Sequence, residues 1–233
     1  MNDLQSTRRA FLGVAPLLGA AAFAGIPAMA VGQKERSVEK EEEGISANED
    51  LMREHGILKR ILLIYEEIIR RISVKQDFSP QAVTDAAMII RKFIEDYHEK
   101  LEENHLFPRF RKAGKLVDLV DTLQTQHQAG RRVTERITAM AKSLKTRDER
   151  TKLAEQLHSF IRMYAPHEAR EDTVLFPELH KIVSPHEYDA LGEQFEGIER
   201  QTFGGDGFDI YLDKVTVIEK QLGVYDLSQF TPR

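Results

Sequence analysis

Tyr97–Pro108 reads Y-H-E-K-L-E-E-N-H-L-F-P, and Pro166–Pro177 reads P-H-E-A-R-E-D-T-V-L-F-P. Placing His98 on His167 puts Glu99 on Glu168, Glu102 on Glu171, Glu103 on Asp172, and Leu106-Phe107-Pro108 on Leu175-Phe176-Pro177, all at one offset of 69 residues (98 to 167). A further histidine precedes each copy: His55 lies 43 residues before His98, and His127 lies 40 before His167. The pattern H…HxxxE therefore occurs twice. Repetition of a whole set of metal-binding residue types is far rarer by chance than any one histidine.

Outward from these copies the chain reads as helix. Ser46-x-x-Glu49 is a capping box opening a first helix, on which Leu51, His55, Leu58, Leu62, Tyr65, Ile69 and Ile72 recur at three- and four-residue steps. Ser79-Pro80 starts a second helix, with Ala87, Ile90, Ile94, His98 and Leu101 on one face and Pro108 as its close. Gly114 separates it from a third, marked by Leu116, Leu119, Val120, Leu123, His127, Val133, Ile137 and Leu144. Thr146-x-x-Glu149 opens a fourth, carrying Leu153, Leu157, Phe160, Ile161, Tyr164, His167 and Glu171. Pro166, inside that helix, predicts a kink or bulge beside His167. Four long amphipathic helices with short connections predict an all-α, antiparallel up-down four-helix bundle over residues 48–182. Residues 183–233 read as a helical C-terminal extension: a helix from Ser184-Pro185 to about Gln201, a loop at Phe203–Phe208, and a last helix from Asp209 to Leu222 closed by Gly223. Its apolar residues need a surface to bury against, either the bundle or a second subunit, the latter giving a homodimer through the extension.

The N-terminus reads as an address. Arg8-Arg9 followed by Phe11 and Leu12 resembles a twin-arginine export signal; an apolar run follows, and Ala28-Met29-Ala30 offers a cleavage site. Residues 1–30 are thus expected to be a signal peptide and 31–47 a charged linker. The apolar run is short for a membrane span and broken by Pro16 and Pro27, so no stable anchor is expected after cleavage, and the protein is expected to be periplasmic or otherwise exported. Hydrophobic residues make up 41% of the chain and charged residues 30%, enough for a core in a globular protein. A net charge of −5 with no basic block argues against nucleic acid as a partner. With no cysteine, disulfides and thiolate chemistry are excluded, and a transition-metal site must use imidazole and carboxylate, donors that suit iron, manganese or zinc.

Residues four apart project from one side of a helix, so His98 with Glu102, and His167 with Glu171, can reach one point in the bundle core, where His55 and His127 enter from the other two helices. A lone histidine on an apolar stripe is ordinarily a hydrogen-bonded core residue. Four with matched carboxylates in both halves are a metal-ligand set, since two buried carboxylates facing each other are costly without cations.

At these residues the chain resembles the hemerythrin-like proteins of the HHE cation-binding type, over roughly residues 48–182. The resemblance implies a non-haem di-iron centre, two oxo- or hydroxo-bridged irons ahead of manganese or zinc. Its ligands would be His55, His98, Glu102, His127, His167 and Glu171, the glutamates bridging. Two departures stand out. Oxygen-carrying hemerythrins have another histidine four residues after the third-helix one, where this chain has Arg131, and an aspartate five after the last histidine, where Asp172 stands beside Glu171. Glu171 matches Glu102 in the repeat and is preferred, with Asp172 the alternative. His105 is a candidate replacement ligand, Tyr97 and Tyr164 are core or supporting residues, and Glu99, Glu103 and Glu168 read as a solvated face that could orient an imidazole. His158, His180 and His186 have no matched partners.

The expected function is a periplasmic di-iron protein that binds or senses oxygen, taking a small diatomic or peroxide ligand. The alternatives are a di-iron redox enzyme acting on peroxide, nitric oxide or ferrous iron, and a structural bundle holding zinc or no metal.

Overall fold

The computed structural model describes residues 45–232; the signal and linker readings fall on residues outside it, apart from the linker's last three. Six helices follow in order. Helix α1 spans Ala47–Ser73. Helix α2, residues 80–113, runs through Pro80–Ile89, a π segment Ile90–His98, Glu99–Leu101, a second π segment Glu102–Leu106, and Phe107–Ala113. Helix α3 is Val117–Ala141. Helix α4, residues 147–182, comprises Arg147–Arg170, a π segment Glu171–Leu175, and Phe176–Ile182. Helices α5 (Pro185–Phe203) and α6 (Gly207–Leu222) and a 3₁₀ turn Leu227–Phe230 complete the chain.

The caps follow from the sequence. Ser46, Ser79 and Ser184 each accept a backbone N–H of the first turn, while Thr146 and Glu149 form a reciprocal capping box. Gly114, Gly204 and Gly223 end their helices with φ of 63°, 75° and 69°, a conformation that side chains with a Cβ resist. Asp206 caps α6, so that helix starts at Gly207, two residues earlier than its apolar pattern suggests. Leu116 is a left-handed residue ahead of α3 (φ 49°), and α3 stops at Ala141, short of Leu144.

Two prolines behave differently from expectation. Pro108 does not close α2, which continues to Ala113. Pro166 sits within regular α-helix, and the bulge comes after it, at Glu171–Leu175. The equivalent turn in α2 is Glu102–Leu106, in a copy with Tyr97 where Pro166 would stand, so Pro166 is not the common cause. What both bulges share is a proline two residues on, Pro108 or Pro177. A proline in a helix lacks an N–H and crowds the carbonyl four residues back; a widened turn just ahead inserts one residue and lets the helix continue. Nearby carbonyls find other donors: Arg109 meets that of His105 at 2.6 Å and Asn48 that of Phe176 at 2.7 Å.

Helices α1–α4 form the bundle, with α1 beside α4, α4 beside α3, and α3 beside α2. The extension lies on α1 and α2. Tyr211 of α6 stacks on Phe93 of α2 at 4.7 Å, Phe203 of α5 meets Tyr97 edge-on at 5.0 Å, and Arg60 of α1 pairs with Glu219 and Thr216 of α6. In consequence α1 is buried on two faces: Ile57, Ile61, Ile64 and Ile68 are inside as well as the expected Leu51, Leu58, Leu62 and Tyr65. Among the described residues, no helix is long and apolar enough to cross a membrane.

Candidate metal centre

His55, His98, Glu102, His127, His167 and Glu171 are all buried, at 4% exposure or less, and meet in the bundle core. They form two triads, His55/His98/Glu102 and His127/His167/Glu171, each presenting ligand atoms within 4.8 Å of one another. The triads touch. His55 Nε2 lies 3.4 Å from Glu171 Oε2 and His127 Nε2 lies 3.4 Å from Glu102 Oε2, so each carboxylate reaches into the other half. His167 Nε2 is 3.1 Å from Glu171 Oε1 and 3.2 Å from His127 Nε2, and His98 Nε2 is 3.8 Å from Glu102 Oε2.

All four imidazoles are held by Nδ1, leaving Nε2 to face inward. Nδ1 of His55 meets Asp172 at 2.7 Å, that of His98 meets Glu54 at 2.6 Å, that of His127 meets Glu103 at 3.1 Å, and that of His167 meets Gln126 at 2.8 Å. Such outer partners fix the tautomer and ring orientation of a metal-ligating histidine. Phe176 stacks on His55 and Phe107 on His127, both at 5.5 Å, so the two L-F-P motifs wall the site.

A cation fits this arrangement. Both oxygens of Glu102, both of Glu171 and Nε2 of His98 are buried without a hydrogen-bond partner among the described residues, a condition native proteins avoid. Two atoms that each sit about 2.1 Å from one ion lie about 3–4 Å apart, the spacing found here. Burial, then the charge of Glu171, pushes the Glu102 carboxyl up to about 7. Burial also opposes ionisation of Glu171, but His167 and His55 prevail and hold it well below the usual range. Burial works against a charged His55, yet the neighbouring carboxylates of Asp172 and Glu171 win and raise it to about 10. Burial and the nearby His55 keep His98 well below its ordinary value. In the absence of an ion, protons therefore neutralise this interior, and a cation would displace them.

The other candidates fall elsewhere. Asp172 lies on the outer side of His55, shared with Lys59 at 3.2 Å. His105 faces away from the triads, 5.7 Å from Phe195 of α5. Glu99 and Glu168, read as solvated, are buried at 1% and 3%. Glu99 accepts the Tyr164 hydroxyl at 2.7 Å and pairs with Arg131 at 2.6 Å; Arg131 also takes Glu103 at 2.7 Å. The acidic group Glu99/Glu103 behind His127 is thus already served by a guanidinium. Gly130 makes room for Tyr164, whose hydroxyl would lie 2.0 Å from a Cβ there. His158, His180 and His186 are exposed. Sequence reasoning missed Glu54 and Gln126. Each immediately precedes a first- or third-helix histidine, and a polar residue in that place on both helices was the available signal.

An all-α bundle with paired His/Glu triads in its core defines a cation-binding helical protein. The model of the hemerythrin HHE cation-binding domain matches residues 46–179, and again 118–221, and the chain belongs to that family. It is 50% identical over 195 residues to the uncharacterized protein Rv1995 of Mycobacterium tuberculosis, spanning 83% of this chain and 76% of the relative. The uncharacterized protein Mb2018 of Mycobacterium bovis matches to the same extent. No solved structure matches the chain at a significant level.

Proposed function

We propose that this protein holds two iron ions between its bundle helices and uses them to bind or sense oxygen in the periplasm. The observation that carries the reading is the facing pair Glu102 and Glu171, fully buried, unpartnered and surrounded by four inward Nε2 atoms. His55 and His98 would hold one ion, His127 and His167 the other, with the two glutamates bridging. Bound there, an iron pair supplies reversible electron exchange and coordination positions for a small diatomic or peroxide ligand. The chain's part is to orient four imidazoles through Nδ1, to keep water out with Phe107 and Phe176, and to leave one position without an imidazole. Arg131 stands where a fifth histidine would, and its side chain is taken up by Glu99 and Glu103. That same substitution favours a second reading, a di-iron redox enzyme acting on peroxide, nitric oxide or ferrous iron. Export is supported by Arg8-Arg9 and Ala28-Met29-Ala30. A homodimer through the extension is supported by exposed Leu63, Tyr225, Leu227 and Phe230 on one face.

The test is metal content with an optical spectrum, on full-length protein purified without oxygen and then exposed to air. Two irons per chain with a persistent oxygen-dependent band support binding or sensing; prompt conversion to the oxidised spectrum supports the redox enzyme. Zinc, or no metal after iron reconstitution, overturns both. Cell fractionation of the parent and an Arg8→Lys/Arg9→Lys variant tests export, with the variant retained inside.

A further inference from the structure

The centre has an internal two-fold symmetry that its outer partners break. The repeat relates α1 and α2 to α3 and α4, taking His55 to His127, His98 to His167 and Phe107 to Phe176. It also relates the outer partners: Asp172 on His55 corresponds to Glu103 on His127, and Glu54 on His98 corresponds to Gln126 on His167. The second pair is chemically unequal. Glu54 is a carboxylic side chain at 0% exposure, packed 2.6 Å from Nδ1 of His98, whereas Gln126 offers a neutral amide oxygen at 2.8 Å. The first pair is unequal in its surroundings. Among the described residues Asp172 pairs with one cationic side chain, Lys59, while Glu103 pairs with two, Arg131 and Lys100.

We propose that the two halves of the centre bind metal unequally, the His55/His98 half tightly and first, the His127/His167 half weakly and second, with Glu54 and Gln126 as the positioning residues that set the difference. This rests on the two-metal reading above. With a cation on Nε2, an imidazole keeps its Nδ1 proton and donates it outward. A carboxyl group in that place can bear the negative charge that offsets the ion and raises the basicity of Nε2, which an amide cannot bear at all. Changing such an outer partner alters metal affinity about 10- to 100-fold. The His55/His98 half has two acidic acceptors opposed by one lysine. The His127/His167 half has one, with Glu99 close behind it, opposed by an arginine shared between Glu99 and Glu103 and by a lysine.

Anaerobic titration of the full-length apoprotein with ferrous iron, followed by calorimetry, reads the two steps separately. Two steps are expected, and Glu54→Gln should weaken the tighter one about 10- to 100-fold and narrow the gap between them. Gln126→Glu should narrow the gap from the other side by tightening the weaker step. Bridging carboxylates alone could separate the steps of a symmetric centre, but there Glu54→Gln would create an inequality and widen the gap. Widening, equal loss in both steps, or an unchanged gap in Gln126→Glu overturns the proposal while leaving two-metal binding intact. Uptake of one equivalent or none by the parent protein overturns the two-metal reading itself, and this inference with it. Should Glu54→Gln fail to fold, Gln126→Glu, which alters a half-buried residue, decides alone.

Discussion

Glu102 and Glu171 bring four carboxylate oxygens into an interior that gives none of them a hydrogen bond. A buried polar group left in that state costs about 1–3 kcal/mol. Burial and Glu171 push the Glu102 carboxyl up to about 7, so at pH 8 it is ionised against its surroundings; Glu102→Gln removes that charge and is expected to stabilise the metal-free protein by about 1–3 kcal/mol while lowering its iron content below two per chain, which urea unfolding in chelator and metal analysis check. A destabilised, fully loaded variant would contradict the site. Gly130 carries a different constraint. The Cβ of Gly130→Ala would run into the Tyr164 hydroxyl and ring, so a loss of about 1–3 kcal/mol is expected in thermal denaturation. His55 makes metal uptake depend on pH. Its pKa in the metal-free fold is raised to about 10, so below that value a proton competes with the ion, and the competition eases as pH rises. Affinity should climb at least about 10-fold per unit between pH 6 and 8. Calorimetry in two buffers of different ionisation enthalpy should show proton release on binding.

At the scale of the helix, caps and bulges decide where elements begin and how they turn their side chains. Thr146 and Glu149 close the start of α4 reciprocally, so Thr146→Ala should cost about 1 kcal/mol, measured by urea denaturation, with metal binding kept because the cap is remote from the triads. The starts of α1, α2, α4 and α5 were legible because a capping residue states its own chemistry. The π segments were not. Leu-Phe-Pro reads as a helix end, since the local argument from proline is sound by itself; only when Leu106, Phe107 and Phe110 are buried together does continuing the helix through a widened turn win. Pro166 taught the converse, for the bulge expected at that residue belongs to the turn before Pro177.

Over the whole molecule, α1 is held from two sides, by the bundle and by the extension. Removing residues 183–233 would expose Phe93, Tyr97 and the outer isoleucines of α1. Protein ending at Ile182 should melt at lower temperature than the full chain and bind a hydrophobic dye, which differential scanning and dye fluorescence would show. An unchanged melting temperature would mean that α5 and α6 contribute nothing to the bundle. The single stripe read on α1 undercounted its burial for the same reason: periodicity reports one face at a time, and the second face is apolar only because other helices come to cover it.

The sequence alone determined the helical class, the four bundle helices and the six side chains that gather in the core. Helical period is a local property, and it places His98 with Glu102 and His167 with Glu171 whatever else the chain does; the repeat that matches the two pairs is legible in the sequence itself. Tertiary structure alone decided which acceptor stands behind each imidazole, why Glu99 and Glu168 are buried, and where Arg131 and the extension rest. Those choices depend on how neighbouring helices are rotated and offset against each other, and no spacing within one helix encodes that.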